Sequence, residues 1–301
     1  MYRIGVDLGG TNIVAGVVDE NNKIVVKAKR KTNCPRPAQE ILKDIAEAVQ
    51  EAMKLAHITE KDVVSIGIGT PGSVNKAEGM IDYSNNLGFD KLPAVKILSQ
   101  YFSVPIYLEN DANCAALGEA VAGAGHNAKN FVAVTLGTGV GSGIIVDGKI
   151  VNGCNDAAGE MGHTVIQIDG EPCTCGRKGC WEAYSSATAL VRQTKKAMEA
   201  HKESLMWELV NGEIQKVNGR TAFDAMRKGD VTGKTVCDEY IRMLSIGLTN
   251  IINIFQPEVL CIGGGIGCEG ENLLVPLRTL IEKQRYSIHS SKQTALCSAV
   301  L

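Results

Sequence analysis

Two segments half a chain apart repeat one pattern, and this repeat constrains the fold more than any other feature of the sequence. Each has an apolar strand-like stretch, a turn rich in glycine and threonine, and a second apolar stretch; they occupy residues 4–19 and 132–147. A third short strand is predicted after each of them, at residues 23–28 and 149–151. Repetition over this distance predicts two related lobes.

The remaining segments predict a mixture of helices and strands. Apolar residues between Pro37 and Ala56 recur at helical spacing, and the apolar run at 63–69 is typical of a buried strand. Further predicted elements are strands at 106–108 and 259–262 and helices near 112–122, 187–201, 236–255 and 273–284. Such alternation indicates an α/β protein. The predicted units are an N-terminal α/β lobe, a C-terminal α/β lobe and a helical insertion within the latter, at 1–120, 121–301 and near 202–234.

Composition and charge exclude several classes of protein. The chain has 301 residues, of which 45% are hydrophobic, so it can bury a proper core. Its formal net charge of -2 gives no electrostatic reason to expect a nucleic-acid partner. The first residues lack the pattern of a secretory signal, and no apolar run reaches the roughly 20 residues of a membrane span. We therefore expect a cytoplasmic protein that binds neither nucleic acid nor a membrane.

The first glycine-rich turn is a candidate phosphate site. In Asp7-x-Gly9-Gly10-Thr11-Asn12, glycines allow close approach of the backbone to a phosphate, and consecutive N–H groups can form an anion-binding nest. Thr11 and Asn12 add side-chain donors, and Asp7 can hold Mg²⁺ through water. The alternative is an ordinary hairpin turn, for which Gly-Gly is a common signal.

A second glycine-rich turn between two predicted strands repeats this motif and strengthens the interpretation as a phosphate site. It contains Thr138 and Gly139 within the glycine-rich run 137–143, and two facing hairpins could clamp a triphosphate. Gly263 and Gly264 follow a buried strand and suggest a third flexible turn against which a nucleotide could lie. The first turn is not a dinucleotide-binding fingerprint, because Gly-x-Gly-x-x-Gly is absent after the first predicted strand, and it is not a P-loop, because no Gly-Lys-Ser/Thr follows it.

The ten cysteines do not form a disulfide framework, because the chain is long and shows no secretory signal. Seven are expected to be reduced thiols: Cys34, Cys114, Cys154, Cys237, Cys261, Cys268 and Cys297. The other three, Cys173, Cys175 and Cys180, lie within eight residues and are interleaved with glycines. With His163 as a fourth ligand they predict a closed tetrahedral zinc site. A redox-active or merely buried cysteine group is the disfavoured alternative.

Residues 109–113, with the sequence Glu-Asn-Asp-Ala-Asn, connect a predicted strand to a predicted helix. An aspartate in this position is commonly the N-cap of the helix. Asp111 can also be a general base, because phosphoryl transfer to a hydroxyl needs an acceptor beside the attacking oxygen. The two interpretations are compatible, since a helix N-terminus also stabilises negative charge.

Together these motifs resemble those of the ROK family of bacterial sugar kinases and repressors. The resemblance extends over nearly the whole chain and includes the first turn, residues 136–163, the cysteine cluster and residues 109–113. It implies the duplicated ATPase fold shared by actin, Hsp70 and hexokinases, with two lobes and an interlobe cleft. It also implies that Asp111 is the catalytic base and that the cysteine cluster holds structural zinc.

The resemblance further implies which residues contact the sugar. These candidates are Gly72, Asn86, Asn110, Asp111, Glu160, His163 and Glu182. Glu160 and Glu182 flank the cysteine cluster, so a bound zinc would fix both of them. His163 can bind zinc through one ring nitrogen and a sugar hydroxyl through the other. The alternative for Glu182 is a surface carboxylate at the start of a helix.

The reaction implied by this resemblance is phosphorylation of a hexose at the 6-hydroxyl by ATP, with Mg²⁺. The cysteine motif and the 202–234 segment resemble those of the family's glucokinase branch, so glucose is the expected substrate. N-acetylmannosamine, N-acetylglucosamine, fructose and allose kinases share most of these residues and are the alternatives. Family members usually form dimers or tetramers, which implies a homodimer or homotetramer.

Two further alternatives are not sugar kinases. A sugar-binding ROK regulator would carry a winged-helix segment ahead of the first turn, and six residues precede Asp7 here. An actin-like or chaperone-like ATPase is disfavoured by the cysteine cluster and by residues 109–113. Family members usually continue past the last strand into a terminal helix, whereas this sequence ends at Leu301, a difference expected to affect activity.

Overall fold

The structure is a computed structural model that describes residues 1–126 and 128–301, and it divides into two compact units. Unit 1 comprises Met1–Ala115 and Val151–Ala158, and unit 2 comprises Ala116–Ile150 and Gly159–Leu301. These limits differ in two details from the predicted division after residue 120. The boundary follows Ala115, five residues before the predicted position, and the short segment Val151–Ala158 after the second hairpin belongs to unit 1.

Strands and α-helices follow one another in groups along the described chain. The strands are β1 (Tyr2–Leu8), β2 (Asn12–Val18), β3 (Ile24–Lys31), β4 (Val63–Thr70), β5 (Ser73–Asn75), β6 (Met80–Ser84), β7 (Phe89–Leu92), β8 (Ile106–Asn110), β9 (Phe131–Leu136), β10 (Val140–Val146), β11 (Lys149–Ile150), β12 (Val259–Gly263) and β13 (Ala295–Ser298). The helices are α1 (Ala38–Leu55), α2 (Ala94–Leu98), α3 (Asp111–Ala122), α4 (Glu182–Ser185), α5 (Ala187–Ala200), α6 (Met206–Leu209), α7 (Thr221–Arg227), α8 (Val231–Phe255), α9 (Gly264–Gly267) and α10 (Glu271–Gln284). None of these helices is long and apolar enough to cross a membrane.

The main sheet of unit 1 has the strand order β3-β2-β1-β4-β8. The first three strands pair antiparallel, whereas β4 pairs parallel with both β1 and β8. Alternate residues of β1, namely Ile4, Val6 and Leu8, are buried, as expected for a strand with one face on a core. Helix α1 covers that face with the buried side chains Ile41, Leu42, Ile45, Ala46, Ala48, Val49 and Ala52.

The main sheet of unit 2 has the order β11-β10-β9-β12-β13 and repeats the same directions. Its first three strands pair antiparallel, and β12 pairs parallel with both β9 and β13. Both sheets therefore begin with a hairpin whose turn follows the central strand, at residues 9–11 and 137–139. This shared topology confirms the predicted duplicated fold.

A second sheet and the start of the longest helix are among the features of the fold that were not predicted. A second, three-stranded sheet of order β5-β6-β7 belongs to unit 1. Helix α8 begins at Val231, five residues before the predicted start, because the Asp230 side chain accepts a hydrogen bond from the Gly233 N–H and caps it. The 202–234 segment contains α6, α7 and the first residues of α8.

Candidate active site and metal centre

Polar side chains collect where neighbouring parallel strands of unit 1 end. Asp7 on β1 pairs with Gly69 on β4, and Thr70 on β4 pairs with Asn110 on β8. Asp7 and Asn110 therefore lie at one edge of the sheet, and Asp111 follows as the first residue of α3. This edge is where open α/β sheets commonly bind ligands.

Asn110 provides the N-cap of α3. Its Oδ1 accepts hydrogen bonds from the backbone N–H groups of Ala112, at 2.9 Å, and Asn113, at 3.3 Å. Asp111 lies one position further on, and its Oδ1 accepts from the Ala112 N–H at 2.8 Å. The N-cap interpretation of Asp111 is therefore wrong, because its neighbour already fills that position. Within the described chain, Asp111 Oδ2 accepts no hydrogen bond from another residue.

Asp7 and Asp111 form a pair of carboxylates with perturbed protonation. Both side chains are open to solvent on one side, yet the protein around them removes enough water to raise their pKa values. For Asp7 the negative charge of Asp111 raises the pKa further. Two carboxylates that repel one another in this way favour a bound cation, and their hard oxygens suit Mg²⁺. The residues present therefore fit the predicted magnesium site.

Gly72 and Asn110 are two of the predicted sugar ligands, and the structure brings them together. The Asn110 Nδ2 donates a hydrogen bond to the Gly72 carbonyl oxygen at 3.1 Å. Gly72 has a φ of 99°, and a Cβ there would overlap the Tyr83 carbonyl, so only glycine fits. Position 72 therefore requires glycine because its backbone packs directly against β6.

The first phosphate turn, residues 9–12, is held by Thr32. Within the turn, the Gly9 N–H donates to the Asn12 carbonyl at 2.9 Å. The buried Thr32 hydroxyl donates to the Gly9 carbonyl at 2.6 Å, and the Thr32 N–H donates to the Thr11 carbonyl at 3.0 Å. These bonds occupy carbonyl groups of the turn and so fix its backbone.

Two further predicted ligands lie in this turn or at its border, namely Asn12 and Asn86. The Asn12 Oδ1 is buried and accepts no hydrogen bond within the part of the chain that the structure describes. A buried acceptor of this kind favours a donor supplied by a ligand or by water. The Asn86 carbonyl lies 3.9 Å from where a Cβ of Gly10 would be, so Asn86 borders the same turn.

The second phosphate turn is held by the start of helix α5 in unit 2. The Gly137 N–H donates to the Gly139 carbonyl at 3.0 Å and closes the turn. The Ala187 N–H donates to the Gly137 carbonyl, and the Thr188 hydroxyl donates to the Thr138 carbonyl, both at 2.8 Å. Thr138 is exposed, so its side chain is available to a ligand.

The predicted third glycine turn has a different structure. Gly263 is the last residue of β12, and Gly264 begins the one-turn helix α9. A Cβ at Gly264 would overlap the backbone of Leu136 at the end of β9. The prediction of a flexible turn is therefore wrong here, since packing against β9 fixes the segment.

The four predicted zinc ligands converge in unit 2. One ligand atom from each of His163, Cys173, Cys175 and Cys180 lies within 4.8 Å of all the others. The Cys175 and Cys180 sulfurs are 3.6 Å apart, and the Cys173 sulfur is 3.5 Å from His163 Nδ1. Tetrahedral zinc places sulfur ligands about 3.8 Å apart and a sulfur and a nitrogen about 3.6 Å apart. The cluster therefore fits zinc with Nδ1 as the histidine ligand, which leaves Nε2 for another partner.

Glu182 connects the cysteine cluster to the second phosphate turn. Its Oε2 accepts a hydrogen bond from the Val140 N–H at 2.9 Å. Its Oε1 lies 3.4 Å from the Thr174 hydroxyl and 3.9 Å from the Cys173 sulfur. A Cβ at Gly139 would overlap Oε2, so Gly139 leaves room for this carboxylate. Glu182 is half-buried in this network rather than a free surface group.

Glu160 follows a loop that is fixed by Ser142 of β10. The buried Ser142 hydroxyl donates to the Gly159 carbonyl and accepts from the Met161 N–H at 3.2 Å. These bonds hold the residues on both sides of Glu160. The backbone of the predicted sugar ligand is thus positioned by the second hairpin.

Three supporting residues were missed by sequence reasoning: Thr32, Ser142 and Thr188. Each is a single hydroxyl residue whose partner lies 17 to 50 positions away. The local sequence carries no signal for such bonds, because serine and threonine occur in every kind of segment.

Comparison with known families identifies the class of protein to which this architecture belongs. The family model of the ROK family matches residues 3–300. The chain therefore belongs to the ROK family, as its motifs predicted.

Several proteins of the family are similar to this chain in sequence and in structure. A glucokinase from Thermotoga maritima is 36% identical over 276 residues, which cover 91% of this chain and 85% of the relative. A solved structure of a ROK family glucokinase from Streptomyces griseus, in complex with glucose and AMPPNP, matches with a TM-score of 0.83 and 34% identity. That match covers 99% of this chain and 94% of the other. Regulators are also similar: a xylose repressor from Caldicellulosiruptor bescii is 30% identical over 285 residues, covering 94% of this chain and 70% of the repressor.

Proposed function

We propose that this chain is an ATP-dependent hexose kinase that converts glucose to glucose 6-phosphate. The observation that carries the proposal is the position of Asp111. Asn110 caps the helix in place of Asp111, one Asp111 carboxylate oxygen has no hydrogen-bond partner among the described residues, and burial raises the pKa of the carboxyl. These are the properties of a general base beside a substrate hydroxyl. The similarity to glucokinases selects glucose among the hexoses.

In the proposed reaction the 6-hydroxyl of glucose gives its proton to Asp111 Oδ2. The hydroxyl oxygen attacks the γ-phosphorus of ATP, the bond between that phosphorus and the β–γ bridging oxygen breaks, and ADP leaves. Mg²⁺, held near Asp7 through water, would offset the charge of the phosphates. Under this proposal the phosphate-contacting residues are Gly9, Gly10, Thr11, Asn12, Thr138, Gly139, Gly263 and Gly264.

The proposed sugar contacts are the residues that the family resemblance implies, namely Gly72, Asn86, Asn110, Asp111, Glu160, His163 and Glu182. Zinc held by His163, Cys173, Cys175 and Cys180 would have a structural role, because four protein ligands would leave no open position for chemistry. It would orient His163 and hold the loop on which Glu182 depends.

N-acetylmannosamine, N-acetylglucosamine and fructose are the alternative substrates. A sugar-binding regulator is a second candidate function, favoured by the similarity to xylose repressors. Use of ATP fits a cytoplasmic location, and a homodimer or homotetramer stays a prediction.

A coupled assay of ADP release across a panel of hexoses tests the proposal. Glucose should stimulate ADP release most strongly, and Asp111→Asn should abolish it while glucose still binds in calorimetry. A chain that binds sugar but releases no ADP with any hexose would be a regulator. Activity retained by Asp111→Asn would remove Asp111 from its role.

A further inference from the structure

One charged network of unit 1 lies outside the ligand set described above, and its centre is Glu109. This residue precedes Asn110 and Asp111 at the end of β8. Its Oε1 accepts hydrogen bonds from the Asn110 N–H at 2.9 Å and from Asn113 Nδ2 at 3.0 Å. One carboxylate oxygen thus holds the residues on both sides of Asp111.

The second oxygen of Glu109 is held by Lys76. The Lys76 ammonium donates to Glu109 Oε2 and also to Asn152 Oδ1, the latter at 2.7 Å. Its nitrogen lies 3.9 Å from Asp156 Oδ1, and the Lys76 backbone N–H donates to Asp156 Oδ2 at 3.3 Å. Lys76 is therefore fixed by the segment 151–158, which packs with unit 1.

The Lys76–Glu109 pair is partly shielded from water, more so than most ion pairs of the described chain. The two side chains are 26% and 18% exposed. By contrast, Lys234 and Asp238 on α8 are 62% and 58% exposed. A shielded carboxylate that loses its cation becomes an uncompensated charge and tends to turn toward water. Glu109 would then release Asn110 and Asn113.

We infer that Lys76 is a positioning residue that acts through Glu109 to hold the junction of β8 and α3, where Asp111 lies. Lys76 neutralises and fixes Glu109, and Glu109 fixes Asn110 and Asn113 around Asp111. The inference rests on the proposed function, in which Asp111 is the base. A displacement of about 1 Å of a reacting group can lower a rate by about a hundredfold.

The test compares Lys76→Met with the double variant Lys76→Met/Glu109→Gln, using glucose and ATP. Lys76→Met should lower kcat by about 10- to 100-fold and raise the KM for glucose, because Asn110 also contacts the sugar. The KM for ATP should change less than about twofold, because the first phosphate turn is held by Thr32 instead. Lys234→Met is the matched control and should leave all three constants unchanged.

The double variant Lys76→Met/Glu109→Gln tests whether Lys76 acts by positioning Glu109 or by another route. A glutamine at 109 can still accept from Asn110 and Asn113 but needs no cation, so the double variant should regain at least about tenfold in kcat over Lys76→Met. Melting temperatures are recorded for each protein, and kinetics are measured well below them. If Lys76→Met does not fold, a folded double variant with kcat within about tenfold of the parent supports the inference.

Three results would overturn the inference. A folded Lys76→Met with the parent's kcat shows that the junction of β8 and α3 does not need the Lys76–Glu109 pair. A slow Lys76→Met that the second change does not rescue shows that Lys76 acts by another route. If Lys76→Met cannot be measured, a double variant that is unfolded, or whose kcat is more than about tenfold below that of the parent, contradicts the inference. Failure of the parent to phosphorylate glucose is a separate outcome, since it refutes the proposed function itself.

Discussion

Replacing Gly139 with alanine tests how the second phosphate turn and the proposed sugar site depend on one another. A Cβ at 139 would overlap Glu182 Oε2 and lie 3.2 Å from Glu182 Cδ. The carboxylate must retreat by about 1 Å to restore van der Waals contact. That movement breaks the 2.9 Å hydrogen bond between Oε2 and the Val140 N–H. A hydrogen bond to a charged group contributes about 1.5–3 kcal/mol, and partial exposure favours the lower end.

We therefore expect Gly139→Ala to weaken glucose binding roughly tenfold in calorimetry without nucleotide. The matched control is Gly137→Ala in the same turn, where an added Cβ meets no atom within 4 Å. That control should bind glucose like the parent. Equal glucose affinity in Gly139→Ala and the parent would refute the link between the turn and Glu182. A loss of the same size in both alanine variants would show that the turn acts through its backbone alone.

Three other predictions follow from the site. Burial raises the pKa of Asp111, so the folded state binds its proton more tightly than the unfolded state, and stability falls as pH rises from the ordinary to the raised pKa. Asp111→Asn should therefore raise the melting temperature at pH 7 while turnover is lost; an unchanged or lower value would contradict this reasoning. Thr32→Val removes the buried hydroxyl that donates to the Gly9 carbonyl, so it should raise the KM for ATP about tenfold and change the KM for glucose little. Equal changes in the two KM values would indicate that the substitution disrupts the whole fold and not the first phosphate turn. Metal analysis should find about one zinc per chain, and chelation should weaken glucose binding because His163 and Glu182 lose their anchor; metal-free protein with full glucose affinity would contradict this role.

The duplicated hairpins could be predicted because their signal is local. In each case a glycine and threonine turn separates two apolar strands, and the observed sheets repeat one order and one set of directions. The cysteine cluster could also be predicted from the sequence, since three ligands and the glycines between them lie within eight residues. Its fit to zinc depends on His163, which lies ten residues upstream and within the same motif.

The rest of unit 1 depends on contacts that the sequence does not display. Strands β5, β6 and β7 have only 3, 5 and 4 residues, too few to show a period. Lys76 lies between β5 and β6 and resembles any surface lysine, but its ammonium reaches Glu109, 33 positions away. The capping position was misjudged for a similar reason, because Asn110 and Asp111 are both good cap residues and only the backbone decides between them.

Nuclear magnetic resonance of the reaction product is the most direct test of the central claim, because it identifies the bond that the chain makes. Glucose labelled with ¹³C is incubated with ATP, Mg²⁺ and the zinc-loaded chain, and phosphorus coupling to each carbon is recorded. The account predicts one product, with phosphorus coupled to C6, in an amount equal to the ADP formed, and none with Asp111→Asn. A phosphate on another carbon, or ADP formed without any phosphorylated sugar, would contradict it.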